Sequence, residues 1–367
     1  MSNKLDKLFT AYTSPKLNLA NRLVMAPMTR YFSPDGVPGQ NVADYYRRRV
    51  EGGTNLIITE GTVVNDPVAS PHPNVPHLYG EKALAGWANV VKAVHEAGGK
   101  IMPQIWHVGM ARRANEAPNP ELPNAGPSGI LHNAKKIAEP LTEEEIETLV
   151  ASYAQSAKAA QEIGFDGVEI HGAHGYLVDQ FFWEQMNRRE DQYGGDQVRR
   201  TSFAARIVAA IREATGEDYP IVFRFSQWKQ QDYDAKLART PEELAAFLKP
   251  LVDAGVDIFH CSTRRYWEPE FEGSDLNLAG WTKKLTGLPT ITVGSVGLSR
   301  DMMSSFKGED SGTRSIDDLG DRLEAEEFDL VAVGRALIQD ADWPTKIREG
   351  RTDELEDYSP KKLAELV

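Results

Sequence analysis

His171-x-x-His174-x-Tyr176 is the densest group of reactive side chains in the chain. A neutral imidazole donates a hydrogen bond to developing negative charge, and a phenol is a weak acid suited to protonating a carbanion. Two imidazoles and a phenol this close can hold a carbonyl-type oxygen and deliver a proton beside it. The histidines also admit plainer readings, as satisfied core residues or as zinc or iron ligands completed by His107, His260, Glu60 or Glu169. The spacing lacks the H-E-x-x-H pattern of a helical zinc site. Polar residues end other apolar runs in the same manner. Thr29 follows Ala26-Pro27-Met28, Gln104 and His107 flank Trp106, Arg224 ends a Val/Phe run, and Gly294-Ser295 and Gly334-Arg335 close two more. At the last two, glycine lets backbone N–H groups approach a phosphate, Arg335 adds a guanidinium, and a helix after Gly334 presents its positive end. The bland alternative is tight turns and a solvated arginine. No G-x-G-x-x-G follows the first strand and no G-x-x-x-x-G-K-[ST] occurs, so a Rossmann dinucleotide and a P-loop nucleotide do not fit.

The elements that must position these residues are short, nearly continuous apolar runs at 22–28, 55–61, 100–106, 166–172, 220–226, 256–262, 289–295 and 328–334. Runs without polar alternation are expected of parallel strands covered on both faces. Helical stretches separate them. Thr142-Glu143-Glu144-Glu145 is a capping box opening a helix through Ala160, and Thr240-Pro241-Glu242-Glu243 opens another that Gly255 closes. One more runs from about Glu81 to Ala97, and the last from after Gly334 to Gly350. Eight strand–helix units favour closure into an α/β (β/α)8 TIM barrel, a single domain over 1–367. Chemistry then belongs at the C-terminal ends of the strands, where the polar residues stand. Two stretches exceed a barrel's needs, about 110–140 and the aromatic-rich 263–285, and read as capping loops over that face.

Composition excludes several classes. The chain has 41 Lys+Arg against 54 Asp+Glu, a formal charge of −13 without a basic block, so nucleic acid is not expected as a partner. Apolar runs stay short of the ~18 residues that suggest a membrane span. The N-terminal stretch lacks the apolar core of a signal peptide, and the expected location is cytoplasmic. A single cysteine, Cys261, forbids an internal disulfide and a four-thiolate iron–sulfur centre.

Five blocks carry a family resemblance: NRLVMAPMTR (21–30), NLIITEGT (55–62), GGKIMPQIWHVG (98–109), EIHGAHGYLVDQFFWEQMNRREDQYGG (169–195) and DLVAVGRALIQDADWP (329–344). In type and order they resemble the Old Yellow Enzyme family of FMN-dependent ene-reductases. The resemblance implies non-covalent FMN, with NADPH or NADH as transient reductant. Pro27 and Met28 would line the flavin ring, Thr29 would donate to its O4, and Gly61 and Gln104 would meet its pyrimidine edge. Arg224 would sit by N1 and O2, where its charge raises the flavin potential. Gly294, Ser295, Gly334 and Arg335 would hold the phosphate, and Trp106 would wall the substrate pocket. His171, beside the ring, and His174 would clamp the oxygen of a small activated alkene, an α,β-unsaturated carbonyl or nitro compound, with Tyr176 as proton donor. The implied reaction is ping-pong: hydride passes from NAD(P)H through flavin N5 to the alkene β-carbon, and Tyr176 protonates the α-carbon from the opposite side. The implied assembly is a monomer or homodimer.

The chain departs from the family pattern at four places. His174 stands where many relatives have Asn, although plant oxophytodienoate reductases also have His. Met110 replaces a usual Arg. Trp228 and Lys229 in RFSQWKQQDY (224–233) bear on the pocket rim, and Tyr358 is the sole candidate for a C-terminal aromatic cover. Two rival classes give different observations. A metal-dependent hydrolase using His107, His171, His174 and His260 would be colourless and chelator-sensitive. A flavin-based sensor would not be rapidly bleached by NADPH and reoxidised by enones.

Overall fold

The computed structural model describes residues 4–367. A short hairpin, β1 (Tyr12–Thr13) with β2 (Asn18–Leu19), precedes the main sheet. The strands of that sheet are β3 (Leu23–Met25), β4 (Leu56–Val63), β5 (Lys100–Trp106), β6 (Val168–His174), β7 (Ile221–Lys229), β8 (Ile258–Ser262), β9 (Thr290–Val293) and β10 (Leu330–Val333). They close in chain order, β10 pairing β3, and every pair is parallel. The eight apolar runs are therefore the eight staves of a (β/α)8 barrel. Several stop short of the run that announced them. β3 ends at Met25 and β9 at Val293, so Pro27–Met28 and Gly294–Ser295 leave the sheet and form the mouth.

The helices follow their sequence signals. α1 (Gln40–Glu51) and α2 (Glu81–Glu96) pack outside β4 and β5. α3 (Glu143–Glu162) begins with the full capping box: Thr142 accepts from Glu145 N–H, and the Glu145 carboxylate accepts from Thr142 N–H. After β6 come α4 (Leu177–Phe182) and α5 (Gln197–Thr215). α6 (Pro241–Ala254) starts with Pro in its first turn and ends at Gly255 in the left-handed conformation. α7 (Leu278–Thr286) is capped by Asn277, so the stretch 263–285 is loop only to that cap and barrel helix beyond it. α8 (Met302–Phe306) and α9 (Asp317–Glu324) lie between β9 and β10. The expected last helix is two, α10 (Arg335–Gln339) and α11 (Trp343–Arg348). Asp340 accepts from Asp342 N–H in a tight turn, and Pro344 has no N–H with which to continue the earlier helix.

Strand period fixes what faces inward. The barrel interior is one apolar cluster of Val24, Ala26, Leu56, Ile58, Met102, Val222, Ile258, Ile291, Val293, Leu330 and Ala332, with Tyr12, Leu17 and Leu19 of the hairpin joining it. Stepping two residues along β5, β7 and β8 from Met102, Val222 and Ile258 reaches Gln104, Arg224 and His260, then Trp106, Ser226 and Ser262. The inner rows thus change from aliphatic to polar toward the C-terminal end. Outside the barrel, aromatic and aliphatic side chains such as Trp87, Tyr153, Phe203 and Phe247 form the larger core against the helices. No helix among the described residues is long and apolar enough to cross a membrane.

Candidate active site

The reactive group sits where β6 breaks its register. Pairing with β7 slips between Gly172 and His174, and His174 takes the left-handed conformation at φ 67. Such a φ is uncommon for a non-glycine residue and marks a backbone held by its surroundings. Those surroundings are explicit. His174 N–H donates to Ser226 Oγ at 3.0 Å, Gly175 N–H to Asp179 Oδ2 at 2.7 Å, and Gly175 C=O accepts from Gln180 at 2.8 Å. Asp179 is in turn paired with Lys229 at 2.5 Å, both side chains at most 1% exposed. Lys229 is therefore not on the rim, as the sequence suggested; it lies beneath the His174–Tyr176 turn.

The turn brings four rings together. His171 meets His174 and Tyr176 edge-on at 5.1 and 5.0 Å and lies roughly parallel to Trp106 at 6.1 Å, while Tyr176 stands edge-on to Trp106 at 4.9 Å. Trp106 and Tyr176 line a cavity of about 670 Å³ that also includes Tyr31, His72, Met110 and Gln230. Met110 packs against Trp183 and Met186, so its departure from the usual residue shapes this cavity directly. Gly61 lies against Trp106, where a Cβ would meet the indole at 2.4 Å. Burial and the Arg224 charge hold both imidazoles well below their ordinary value, hence neutral. Burial pushes the Tyr176 phenol up to about 12, so it keeps its proton, and its hydroxyl donates to Gln230 at 3.3 Å.

A second recess of about 120 Å³ adjoins this group. It is walled by Pro27, Met28, His174, Arg224, Trp228, Ser262, Gly294, Ser295, Gly334 and Arg335, which brings most of the expected cofactor residues together. Gln104 lies in the polar row below, donating to Glu169 at 2.8 Å; Glu169 in turn meets His260 Nδ1 at 2.6 Å. Thr29 is half-buried and its hydroxyl makes no hydrogen bond to a described residue. The recess fits a flavin mononucleotide by what it leaves unpaired. Arg224 is 6% exposed, yet its Nε has no partner. A guanidinium buried with a free donor calls for an electron-rich edge. The backbone N–H groups of Gly294, Ser295 and Gly334 likewise donate to no described residue, and a Cβ at Gly294 would strike Thr263 Oγ1 at 2.5 Å. Clustered free N–H groups at the start of α10 form an anion cradle. Arg335 braces that cradle: it donates to the carbonyl oxygens of Arg300 and Asp301 and to Ser305 Oγ, with a longer contact to Ser295 Oγ.

The histidines offered for metal are otherwise engaged. His107 accepts from Gly109 N–H and meets Asp66 at 3.2 Å, and His260 pairs with Glu169. Among the described residues no group of three or more His, Cys, Asp or Glu could hold a metal ion. The family profile described as NADH:flavin oxidoreductase / NADH oxidase matches residues 7–354. The chain belongs to that family. It is an oxidoreductase family whose cofactor is FMN, and it is the Old Yellow Enzyme family that the five sequence blocks resemble. This member is 37% identical over 360 residues to an NADH oxidase of Thermoanaerobacter brockii, a match covering 95% of this chain and 52% of that protein. The chain thus spans about half the length of that relative, and 57% of rice 12-oxophytodienoate reductase 7, to which it is 40% identical over 227 residues, 59% of its own length. It is 31% identical to 12-oxophytodienoate reductase 2 of Arabidopsis thaliana, covering 93% of this chain and 88% of that one. Morphinone reductase in complex with tetrahydroNAD superposes with a TM-score of 0.80 at 27% identity, covering 97% and 93% of the two chains.

Several site residues escaped the sequence reading. Ser262 bonds His174 at 2.8 Å, Asp179 anchors the turn, Gln230 bonds Tyr176, and Tyr31 lines the cavity with φ 63. Ser262 had a signal: it lies two residues beyond His260, in the inward row of β8. Trp228 does shape the rim, stacking between His174 at 4.5 Å and Tyr233 at 5.3 Å. Tyr358 packs beneath the Arg335 guanidinium at 5.6 Å, remote from a role as a ring cover.

Proposed function

We propose that the protein is an NAD(P)H-dependent ene-reductase acting on small activated alkenes, α,β-unsaturated carbonyl or nitro compounds. The observation that carries this reading is the pairing of two neutral imidazoles with a protonated phenol beside a buried guanidinium whose Nε has no partner. Bound FMN supplies the two-electron chemistry, relaying hydride equivalents from NAD(P)H to the alkene. Arg224 would lie against its pyrimidine edge and favour negative charge there, Gln104 and Thr29 would bond the ring, and the Gly294–Ser295 and Gly334–Arg335 segments would hold the phosphate.

The chain's own groups then act on the substrate. Ala173 N–H donates to His171 Nδ1, so the neutral ring carries its proton on Nε2. That N–H and one from His174 donate to the carbonyl or nitro oxygen and strengthen their hold as negative charge develops, an effect worth roughly 10²–10³-fold per donor. Trp106 and Tyr176 wall the site and hold water away from the alkene. Tyr176 gives its proton to the α-carbon, and Gln230 keeps the hydroxyl in place. The test is an anaerobic spectral titration. The purified protein is expected to be yellow, to bleach with NADPH or NADH, and to recover on adding 2-cyclohexenone. Bleaching without recovery by any enone or nitroalkene refutes the ene-reductase reading.

A further inference from the structure

The two imidazoles make their hydrogen bonds through different nitrogens, and the partner of the second stands on another strand. For His171 the donor to Nδ1 is a backbone N–H, which leaves Nε2–H. For His174 the bonded atom is Nε2, 2.8 Å from Ser262 Oγ. Either atom of that pair can donate, and the neighbours of Ser262 decide between them. Arg224 Nη2 reaches Ser262 Oγ at 3.4 Å, and a guanidinium only donates, so the serine oxygen accepts there. The serine hydrogen has no acceptor other than His174 Nε2 among the described residues. A buried hydroxyl 3% exposed does not leave its hydrogen unused. The ring cannot drift from this contact. Trp228 stacks on its face at 4.5 Å and ties its own indole N–H to the Ser262 carbonyl at 3.2 Å, while Ser226 holds the His174 backbone. His174 Nδ1 makes no hydrogen bond to a described residue.

We propose that Ser262 is a positioning residue for the substrate clamp: its Oγ accepts from Arg224, donates to His174 Nε2, and so fixes Nδ1–H as the hydrogen presented to the substrate oxygen. The inference rests on the ene-reductase reading of this site. It links the guanidinium at the cofactor edge to the substrate donor through one hydroxyl. The groups that bear on His174 are Arg224 and Lys229 from β7, His171 from its own strand and His260 from β8; all four disfavour a second proton on it.

The experiment is 15N NMR of FMN-loaded protein labelled at histidine, with steady-state kinetics on the same samples. In the wild type, His174 is expected to be protonated at Nδ1 and bare at Nε2, and His171 the reverse. Ser262→Ala is expected to move the His174 proton to Nε2 or to mix the two forms. It should also lower enone kcat roughly 10- to 100-fold with a smaller change in KM, because the lost interaction tightens in the transition state. Ser262→Thr keeps a hydroxyl and should restore both the tautomer and kcat to within about threefold of wild type. Protonation of His174 at Nε2 in the wild type overturns the proposal, as does an unchanged tautomer in Ser262→Ala. Failure of enones to reoxidise the wild-type flavin, with tautomers as expected, would instead overturn the ene-reductase reading and leave the Ser262 contact standing.

Discussion

Replacing Tyr176 with Phe isolates the proposed proton donor from everything else in the site. The ring stays wedged edge-on between Trp106 and His171, so packing is retained. What disappears is one hydroxyl bonded to Gln230 at 3.3 Å, a stability cost of about 0.5–1.5 kcal/mol. With its pKa pushed up to about 12, the phenol is protonated throughout the working range; at pH 7 the phenolate fraction is on the order of 10⁻⁵. Removing a positioned general acid costs about 10²–10⁴ in rate, or roughly 3–5 kcal/mol of barrier. Stopped-flow mixing separates the two half-reactions. Tyr176→Phe should bind FMN and accept reducing equivalents from NAD(P)H at close to the wild-type rate, then reoxidise with an enone at least 100-fold more slowly. The most reactive substrates should suffer least, because water can stand in for a lost acid. Loss of the first half-reaction, or an undiminished second one, refutes the assignment.

Lys229→Met leaves Asp179 buried without its partner and should destabilise the protein by about 3–5 kcal/mol, seen in urea unfolding. Adding Asp179→Asn should recover at least half of that, since Asn still accepts from Gly175 N–H; no recovery would mean that the charge pair is not the cause. Burial raises Glu60 from 4.5 to about 7, although Arg30 N–H donates to it. Between those values the folded chain holds a proton that the unfolded chain has released, so this group's contribution to stability falls as pH rises, by roughly 3 kcal/mol in all. Glu60→Gln should therefore lose less stability than wild type between pH 5 and pH 8 in paired melts, and an identical pH dependence would count against it. Gly61→Ala places a Cβ 2.4 Å from the Trp106 indole and should displace that wall, raising enone KM and costing about 1–3 kcal/mol of stability. An unaltered KM would show that Trp106 does not bound the substrate.

The barrel was legible because parallel strands covered on both faces leave apolar runs that need no partner to be recognised. Thr142 and Thr240 announced α3 and α6 because capping is local, settled within four residues. The His171–Tyr176 group was legible for the same reason. What could not be read were contacts between elements distant in sequence. Ser262 meets His174 88 positions away and Lys229 meets Asp179 50 away, and no local pattern pairs a lysine with an aspartate on another element. Lys229 looked like a rim residue because a buried lysine is rare without a partner. The break between α10 and α11 was written in Asp340 and Pro344, but the apolar spacing across it masked the stop.

The most direct test of the central claim follows the hydrogens themselves. Enone reduction with unlabelled NADPH in D2O should give product with one deuterium at the α-carbon and none at the β-carbon, the new bonds on opposite faces. A product without deuterium at the α-carbon, or both hydrogens added to the same face, would contradict a nicotinamide-derived hydride at one carbon and a Tyr176 proton at the other.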